Sequence, residues 1–465
     1  MTDINSSLFR AYDIRGIVDE ALTDDAAYKI GRAFASYVQT HAKTHAPTIC
    51  LAYDGRHSSP KLHAIMTKAF IESGADVLDL GCGPTPMLYY ATHTLQAAGG
   101  LMITGSHNAP QYNGFKMMCQ HTTLFGEAIE NLQTLANDQS KCISGNGKVQ
   151  SHNIHSSYLS SLTRAFNVAS THYLPAIAWD PGNGAAGDIL RQLLIMLPGR
   201  HLLINGAIDG DFPAHHPDPT KPENLQQLID IVKRDHYDFG VALDGDGDRI
   251  GVVDQHGNIL WGDQLLYLFA KDALTQNASA TFIADVKTSQ AFFNEISKHG
   301  ANAMMWKTGH SLIKAKMEAT NALIAGEMSG HIFFKEHYGI DDALYAGVKL
   351  FDLVARKGQP LASLLKEYPR MYATPEIRIN CADEKKPMIL SAISKALASS
   401  KAEIITTDGL RVHTDEGWWL LRASNTEPVL VARVEAYKAD SLPKLYAELE
   451  NLLAPHALSL PKFCD

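Results

Sequence analysis

The chain has 465 residues, 45% of them hydrophobic and 20% charged, which predicts a globular protein of several domains rather than a disordered or fibrous one. Its formal net charge of −9 argues against a nucleic-acid partner, because binding a phosphate backbone requires an excess of Lys and Arg on one face. No stretch reaches the roughly 18 apolar residues of a membrane span, the N-terminus has no signal-like pattern, and the six cysteines show no C-x-x-C spacing. We therefore expect a cytoplasmic protein with reduced thiols and no membrane partner.

Short apolar runs alternate with amphipathic helical stretches from about residue 48 onward, which is typical of α/β domains. The first round has strand-like runs at 48–54, 75–80 and 99–106 and helices near 61–73 and 86–97. The rhythm restarts near residue 177 and again near residue 262. After residue 368 the pattern changes to alternating strand-like stretches with helical runs near 386–398 and 441–453, which predicts an α+β unit.

The predicted fold class is α/β, with three consecutive related α/β domains containing mixed sheets and a smaller C-terminal α+β domain. The predicted spans are residues 1–152, 153–254, 255–368 and 369–465. In α/β units, ligands bind in loops beyond the carboxyl ends of strands. The loops that follow the apolar runs are therefore where we expect chemistry.

The segment TGSHNAPQYNGFK at 104–116 follows the strand-like run GGLMI. Small and turn-forming residues around Ser106 leave its hydroxyl exposed at a strand end, with loop amides able to face an anion. Ser106 is thus a candidate nucleophile, and Lys116 a candidate cation or proton-transfer group. Taken alone, the segment is also compatible with a simple polar turn, and His107 is more typical of a supporting hydrogen-bonding residue than of a base.

The segment DGDGDR at 244–249 lies between the apolar runs FGVAL and IGVVD. Three carboxylates at alternate positions repel one another unless a cation offsets their charge, and the glycines allow the tight backbone that turns them toward one point. An EF-hand is excluded because Arg249 and Gln255 stand where Gly and Glu are required. Asp244, Asp246 and Asp248 therefore predict a Mg²⁺ site, with a solvated acidic turn as the alternative.

Other patterns match ligand sites in form only. The G-x-G-x-x-G string at 182–187 has the dinucleotide spacing, but no other nucleotide-site feature accompanies it, and we expect a tight strand-to-helix turn. No P-loop string occurs, and the pairs His215/His216 and His152/His155 lack further ligand spacing, so we expect solvated histidines. The segment RASNTEP at 422–428 could bind a phosphate, although SNT alone also fits a helix cap or turn.

Five segments together resemble the ordered motif set of the α-D-phosphohexomutase superfamily, and bacterial phosphomannomutase/phosphoglucomutase in particular. They are FRAYDIRG (9–16), TGSHNAPQYNGFK (104–116), DGDGDR (244–249), GEMSGH (326–331) and RASNTEP (422–428). The resemblance spans nearly the whole chain. It implies four domains around a central cleft, with a mobile fourth domain that closes over it.

The resemblance also implies roles for individual residues. Ser106 would carry a phosphoryl group in the resting enzyme, and its phosphate oxygen would complete a Mg²⁺ site with Asp244, Asp246 and Asp248. Lys116 and His310 would transfer protons, while Arg249 would face the phosphoserine. Arg15 and His107 would also belong to the catalytic group. Ala109 departs from the proline common in the family, which predicts a slightly less rigid loop without loss of chemistry.

The implied substrate-binding residues come from all parts of the chain. Glu327 and Ser329 would bind two adjacent sugar hydroxyls, and the phosphate-binding loop would use Arg422, Ser424, Asn425 and Thr426. The remaining residues in the implied binding set are Tyr12, Lys287, Thr308, Gly309, His331 and Arg433.

The predicted reaction is reversible phosphoryl transfer between C1 and C6 of hexose phosphates by a monomeric enzyme, with a hexose 1,6-bisphosphate as intermediate and activator. Met328 in GEMSGH resembles enzymes that use both mannose and glucose, whereas glucosamine mutases tend to have Gln there. Specificity of the phosphoglucosamine mutase kind, a metal-dependent sugar phosphatase and a non-catalytic sugar-phosphate-binding protein are the alternatives.

Overall fold

The computed structural model describes residues 4–167, 173–398, 402–425 and 427–462. Within these residues the strands form four sheets that follow one another along the chain. No helix among them is long and apolar enough to cross a membrane. The α/β fold class predicted from the sequence is confirmed.

The first sheet has seven strands in the order β1-β5-β4-β2-β3-β7, with β6 paired to β5. Helix α1 begins where the Thr23 side chain accepts a hydrogen bond from the Ala26 amide, and it ends at Lys43 in a left-handed conformation, as capping rules predict. The elements are β1 (Ile14–Ile17), α1 (Asp24–Ala42), β2 (Thr48–Tyr53), α2 (Ser59–Glu72), β3 (Asp76–Cys82), α3 (Thr85–Thr94), β4 (Gly99–Ile103), β5 (Tyr112–Cys119), β6 (Thr122–Thr123), α4 (Glu127–Asn137) and β7 (Val149–Ser151).

The second sheet has five strands in the order β12-β11-β10-β8-β9. The sequence pattern placed a domain joint at residue 254, and the last strand of this sheet lies beyond that point. The turn at 255–258 closes a hairpin that pairs β12 with β11. The elements are α5 (His155–Thr163), β8 (Ile177–Asp180), α6 (Gly187–Met196), β9 (His201–Leu203), α7 (Gln226–Arg234), β10 (Phe239–Leu243), β11 (Ile250–Asp254) and β12 (Ile259–Leu260).

The third sheet has four strands in the order β14-β13-β15-β16. Its elements are α8 (Gly262–Leu274), β13 (Thr281–Asp285), α9 (Gln290–Lys298), β14 (Asn302–Trp306), α10 (His310–Thr320), β15 (Ile324–Gly326), β16 (Ile332–Phe334), α11 (Ala343–Lys357) and α12 (Leu361–Leu364).

The fourth sheet is antiparallel in each of its pairings, and two helices accompany it. This arrangement is the predicted α+β unit. Its elements are β17 (Tyr372–Ala373), β18 (Ile377–Asn380), α13 (Lys386–Ala396), β19 (Glu403–Ile405), β20 (Leu410–Thr414), β21 (Gly417–Ala423), β22 (Val429–Ala436) and α14 (Leu442–Leu453).

The first three sheets share one topology. In each, a central strand has parallel neighbours on both sides, and one of these neighbours leads through a single loop into an antiparallel fourth strand. The shared strand orders are β3-β2-β4-β5, β9-β8-β10-β11 and β14-β13-β15-β16. The three loops that enter the antiparallel strand contain the motifs at 104–111, 244–249 and 327–331.

One hydrophobic core joins the first three sheets, with Met102 from the first, Trp179 from the second and Phe282 from the third. Helix α11, which follows the third sheet, contacts β10 and β11 of the second. The fourth sheet has its own core around Trp419 and Leu449. The first three domains are therefore one packed body, and the fourth is a separate packing unit.

Candidate active site

The acidic loop at 244–249 is closed off from solvent. Asp244, Asp246 and Asp248 have no exposed surface, and their candidate ligand atoms lie within 4.8 Å of one another. Asp246 Oδ1 and Asp248 Oδ1 are buried and accept no hydrogen bond from the described part of the chain. Hard carboxylate oxygens in this arrangement are the donors that a divalent cation such as Mg²⁺ prefers. These residues could hold the metal that the motif predicts.

Ser106 lies directly beside this acidic loop. Its hydroxyl donates a hydrogen bond to Asp244 Oδ2 at 2.9 Å and lies 3.1 Å from His107 Nδ1. The residue is 2% exposed, and its φ of +50° is in the left-handed region, which is uncommon for a residue other than glycine. The structure therefore brings the predicted nucleophile and the predicted metal ligands together.

Lys116, on β5, completes the acidic cluster. Its Nζ lies 2.6 Å from Asp246 Oδ2 and also pairs with Asp248. Burial would lower the pKa of Lys116, but Asp246 and Asp248 hold it well above its ordinary value. The same contact holds the pKa of Asp246 below its ordinary value against the effect of burial. Burial and then the two neighbouring carboxylates raise the pKa of Asp244 well above its ordinary value.

Arg56 organises the serine loop, and the sequence analysis did not identify it. Its guanidinium donates to the carbonyl oxygens of four loop residues and to Asp54 Oδ2 at 3.1 Å, and its side chain has no exposed surface. The four acceptors are Ser106 at 2.7 Å, Asn108 at 2.6 Å, Ala109 at 2.7 Å and Tyr112 at 3.0 Å. A buried cation therefore fixes the path of the backbone around Ser106.

A second network starts at Arg249. Its Nε donates to His331 Nε2 at 3.0 Å, and His331 Nδ1 lies 3.1 Å from Asp341 Oδ2. The same Asp341 oxygen lies 3.3 Å from His310 Nδ1. Because His331 Nε2 accepts a hydrogen bond from Arg249, Nδ1 carries the proton in the neutral ring. Asp341, which lies outside the sequence motifs, is thus within ion-pair distance of two predicted site histidines.

Lys314 supports this network through an ion pair with Asp341 Oδ1 at 2.9 Å. Burial, followed by the charge of Lys314, lowers the pKa of His310 to about 4. Burial raises the pKa of Asp341, but Lys314 and the histidines hold it well below its ordinary value. His310 is accordingly neutral at pH 7 and able to accept a proton.

The loop at 326–331 faces the cleft from the third domain. Glu327 is 2% exposed; its Oε1 accepts the Gly309 amide at 2.5 Å, and its Oε2 lies 3.4 Å from Ser329 Oγ. Thr308 Oγ1 donates to Asp285 Oδ2 at 3.1 Å. Burial raises the pKa of Glu327 despite the opposing charge of His331. Predicted sugar-side residues from two different loops thus form one connected group.

Tyr12 and Arg15 reach the same cleft from the first domain. The Tyr12 ring stands edge-on to the His310 ring, with centroids 5.3 Å apart. Arg15 donates to Asp13 Oδ2 at 2.6 Å and to Asn108 Oδ1 at 2.5 Å. Burial, and then the Asp13 charge, raise the pKa of Tyr12 to about 12. The motif at 9–16 is therefore in contact with the serine loop.

The predicted phosphate-binding loop joins β21 to β22. Arg422 donates from Nε to Asp408 Oδ2 at 2.9 Å, and the Ser424 amide donates to the Val429 carbonyl at 3.0 Å. Asn425, the residue after Ser424, lines the cleft. Thr426 lies outside the described residues.

Two predicted binding residues are in ion-pair contacts between the third and fourth domains. Lys287 Nζ lies 3.0 Å from Glu376 Oε2, and Arg433 donates to the Lys287 carbonyl and lies 3.9 Å from Asp263. Burial would lower the pKa of Lys287, but Glu376 and Asp285 raise it. Both side chains still line the cleft.

These residues surround a single cavity of about 880 Å³, which all four domains line. A volume of this size is within the range of small-molecule sites. The predicted site residues that line it are Tyr12, Arg15, Ser106, His107, Lys116, Arg249, Lys287, Thr308, Gly309, His310, Glu327, Ser329, His331, Arg422, Ser424, Asn425 and Arg433.

The G-x-G-x-x-G string forms the tight turn between β8 and α6 that the sequence analysis expected. The Ala185 amide donates to the Gly245 carbonyl at 2.9 Å, and a Cβ on Gly184 would lie 2.7 Å from that same oxygen. The glycine therefore allows this turn to pack directly on the acidic loop.

Comparison with known proteins is consistent with this geometry. Models of the phosphoglucomutase/phosphomannomutase family match the chain as its alpha/beta/alpha domains I, II and III at residues 6–141, 156–257 and 261–372, and as its C-terminal domain at 376–452. A phosphomannomutase/phosphoglucomutase of Pseudomonas aeruginosa is 41% identical over 98% of this chain and 97% of its own length. A phosphoglucomutase of Neisseria meningitidis is 44% identical over 97% of this chain and 98% of its own length.

A solved structure has a similar fold. It is the crystal structure of a phosphoglucomutase/phosphomannomutase family protein from Burkholderia thailandensis, with a TM-score of 0.90 and 36% identity. The alignment covers 98% of this chain and 100% of that protein.

Proposed function

The chain belongs to the phosphoglucomutase/phosphomannomutase family, and we propose that it is a hexose phosphate mutase that moves a phosphoryl group between the C1 and C6 oxygens through phosphorylated Ser106. The observation that carries this proposal is the 2.9 Å hydrogen bond from the Ser106 hydroxyl to Asp244 in the acidic loop. A phosphoryl group on that oxygen would lie beside the predicted cation site.

In this proposal the three aspartates and a phosphoserine oxygen hold Mg²⁺. When bound, the ion would neutralise charge on the transferring phosphoryl group. The two buried carboxylate oxygens without a hydrogen bond, on Asp246 and Asp248, support this assignment.

Residues of the chain supply the remaining charge and proton transfer. Lys116 is a buried cation and Arg249 a partly buried one; Lys116 pairs with the acidic loop that Ser106 contacts and Arg249 belongs to that loop, so both are suited to stabilising negative charge there. With Nδ1 directed at Asp341, His310 can exchange a proton with a substrate hydroxyl through Nε2. The high pKa of Lys116 suits it to charge neutralisation more than to accepting a proton.

The substrate proposed is a hexose monophosphate, with the corresponding 1,6-bisphosphate as intermediate and activator. Glu327 and Ser329 would bind two sugar hydroxyls, and Arg422, Ser424, Asn425 and Thr426 would bind the distal phosphate. The bisphosphate would turn over within the cleft so that each end reaches Ser106 in turn. All of these residues come from one chain, which supports a monomeric enzyme, and the free thiols of the described cysteines support a cytoplasmic location.

We propose that both glucose and mannose phosphates are substrates, as the name of the Pseudomonas aeruginosa relative states for that protein. The two sugars differ at the C2 hydroxyl, whereas the proposed contacts are at adjacent hydroxyls elsewhere on the ring. A difference in kcat/KM of more than about 100-fold would contradict dual use, because a site built to bind one particular hydroxyl can discriminate by about 10⁴-fold or more.

The test is intact-mass measurement and peptide mapping of the purified protein, combined with an assay of glucose 1-phosphate conversion to glucose 6-phosphate. We expect one phosphate on Ser106, and loss of both phosphate and activity in Ser106→Ala. Ser160→Ala, on the exposed face of α5, is the matched control and should behave like wild type. Net release of inorganic phosphate would favour the phosphatase alternative, and unchanged activity in Ser106→Ala would refute the proposal.

A further inference from the structure

We propose that Asp408 is a positioning residue that holds the phosphate-binding Arg422 and the third-domain loop at 308–309 in one fixed arrangement, and so retains the bisphosphate during turnover. The inference rests on the proposed mutase function. It assigns a positioning role in that function to Asp408, whose carboxylate lies outside the five sequence motifs.

The backbone of the turn before β20 brings Asp408 to its position. Gly409 has a φ of +85°, and a Cβ at this position would lie 2.5 Å from the Leu421 carbonyl oxygen and 2.6 Å from Arg422 Cβ. Only glycine fits this close approach in the left-handed region. The turn therefore lies directly against β21 at Arg422.

One oxygen of Asp408 joins two domains. Its Oδ2 accepts a hydrogen bond from Arg422 Nε at 2.9 Å and another from the Thr308 amide at 3.0 Å. Thr308 immediately precedes the first turn of α10, where the helix dipole favours a negative charge. A hydrogen bond to a charged group is stronger than a neutral one, so this carboxylate is well suited to tether the loop.

The same loop binds a carboxylate of its own domain. The Gly309 amide donates to Glu327 Oε1 at 2.5 Å, next to the Thr308 amide that donates to Asp408. The adjacent amides of Thr308 and Gly309 thus connect Asp408, which contacts Arg422, to Glu327, which is proposed to bind sugar hydroxyls. A shift of Asp408 would move both ends of the substrate site relative to each other.

Two other contacts between these domains are more deeply buried. Arg411 has no exposed surface and donates to the Val286 and Thr288 carbonyls at 2.7 and 2.8 Å. Glu435, 1% exposed, accepts from the Gln290 amide at 2.9 Å. The Asp408 side chain is 15% exposed and lies beside the cleft. The Asp408 contacts therefore lie at the cleft side of this domain interface, as does the ion pair between Lys287 and Glu376.

Retention of the bisphosphate follows from this arrangement. To turn over, the intermediate must leave Glu327, Ser329 and the phosphate-binding loop before it binds in the opposite direction. During that interval the Asp408 tether keeps the two walls of the cleft in place. Without it, the bisphosphate would escape more often, and Ser106 would need rephosphorylation from solution.

The experiment measures glucose 1-phosphate turnover at varied glucose 1,6-bisphosphate for wild type, Asp408→Ala and Asp408→Asn. For Asp408→Ala we expect KM and the half-activating bisphosphate concentration to rise about tenfold, the cost of one charge-assisted hydrogen bond. At saturating bisphosphate, kcat should change by less than about threefold because the Asp408 side chain contacts Arg422 and Thr308 and makes no described contact with Ser106. For Asp408→Asn, KM and the half-activating bisphosphate concentration should rise by only about threefold, since the amide oxygen can accept the same hydrogen bonds without the charge.

Glu403→Gln, at an exposed position on β19 of the same sheet, is the control and should match wild type. An Asp408→Ala protein with unchanged thermal melting, KM and bisphosphate requirement would overturn the inference. If Asp408→Ala does not fold, a folded Asp408→Asn protein that equals wild type in both parameters would overturn it as well. A wild-type protein unable to interconvert the two glucose phosphates would instead refute the mutase proposal.

Discussion

Ser106 adopts a backbone conformation that its own side chain does not favour. A residue with a Cβ in the left-handed region costs roughly 1–2 kcal/mol, so other groups must hold it there. The Ser106 amide donates to Thr104 Oγ1 at 2.8 Å, its carbonyl accepts from Arg56 and its hydroxyl donates to Asp244. Strain is therefore localised at the proposed nucleophile and maintained by three separate contacts.

Arg56→Lys should reduce kcat by about 10- to 100-fold with little change in KM, because small misplacement of a reacting group costs up to about 100-fold. Lysine retains the charge but lacks the planar fork that contacts several carbonyl oxygens at once. The measurement is steady-state kinetics with glucose 1-phosphate. Arg234→Lys, at a side chain that is 70% exposed, is the control. A kcat equal to wild type in Arg56→Lys would contradict a role for Arg56 in positioning Ser106.

At the scale of elements, the same loop of each α/β domain contains the residues of a different proposed chemical function. The loop into the antiparallel fourth strand contains Ser106 in the first domain, the three aspartates in the second and Glu327 in the third. A polar loop at that edge faces the cleft in every copy of the topology. The repeated strand order therefore places three corresponding loops at the same position in their sheets, and each loop contributes residues to the proposed site.

Strand β1 is placed by its pairing with β5, in which Arg15 lies opposite Gly114. A Cβ on Gly114 would be 1.9 Å from the Ile14 carbonyl oxygen, which the backbone cannot accommodate. The close approach of the two strands is what brings Tyr12 and Arg15 to the cleft.

Gly114→Ala should destabilise the fold by about 1–3 kcal/mol, as overpacking does, and should raise KM by displacing Arg15. Urea unfolding and steady-state kinetics measure the two effects. Gly358→Ala is the matched control: its φ is +59° with nothing within 4 Å of the added Cβ, so it should lose only roughly 1–2 kcal/mol of conformational energy. An unchanged KM in Gly114→Ala would show that β1 does not position the substrate.

At the scale of the whole molecule, the chain has two packing units. The core that includes Met102, Trp179 and Phe282 crosses three sheets, whereas Trp419 belongs to the core of the fourth domain. Buried polar contacts such as those of Arg411 join the units. A domain with its own core can unfold separately when its interface is smaller and more polar than that core.

Thermal unfolding should therefore occur in two steps, with the fourth domain unfolding first. Differential scanning calorimetry would resolve the two transitions, and tryptophan fluorescence would report the first through Trp418 and Trp419. Arg411→Ala should lower the first transition and leave the second nearly unchanged, because it removes contacts across the interface together with contacts to His413 and Trp418 within the fourth domain. A single transition whose calorimetric and van't Hoff enthalpies agree would contradict independent unfolding.

The sequence determined the local elements and the motif loops. Helices predicted near 61–73 and 441–453 are α2 (Ser59–Glu72) and α14 (Leu442–Leu453), because hydrophobic periodicity and capping depend on neighbours along the chain. The α/β fold class and family membership were likewise predictable. The three aspartates could be recognised together because their spacing of two residues is itself a short-range signal.

Only the tertiary structure decided which distant residues act on those loops. Arg56, Asp341 and Asp408 lie outside the five motifs, yet each contacts a predicted site residue from another loop or domain. Contacts of this kind, between residues 10 to 100 positions apart, leave no periodic trace in a single sequence, so their partners become known only when the chain is folded. The sequence thus predicted which residues carry the chemistry, and packing determined which residues hold them in place.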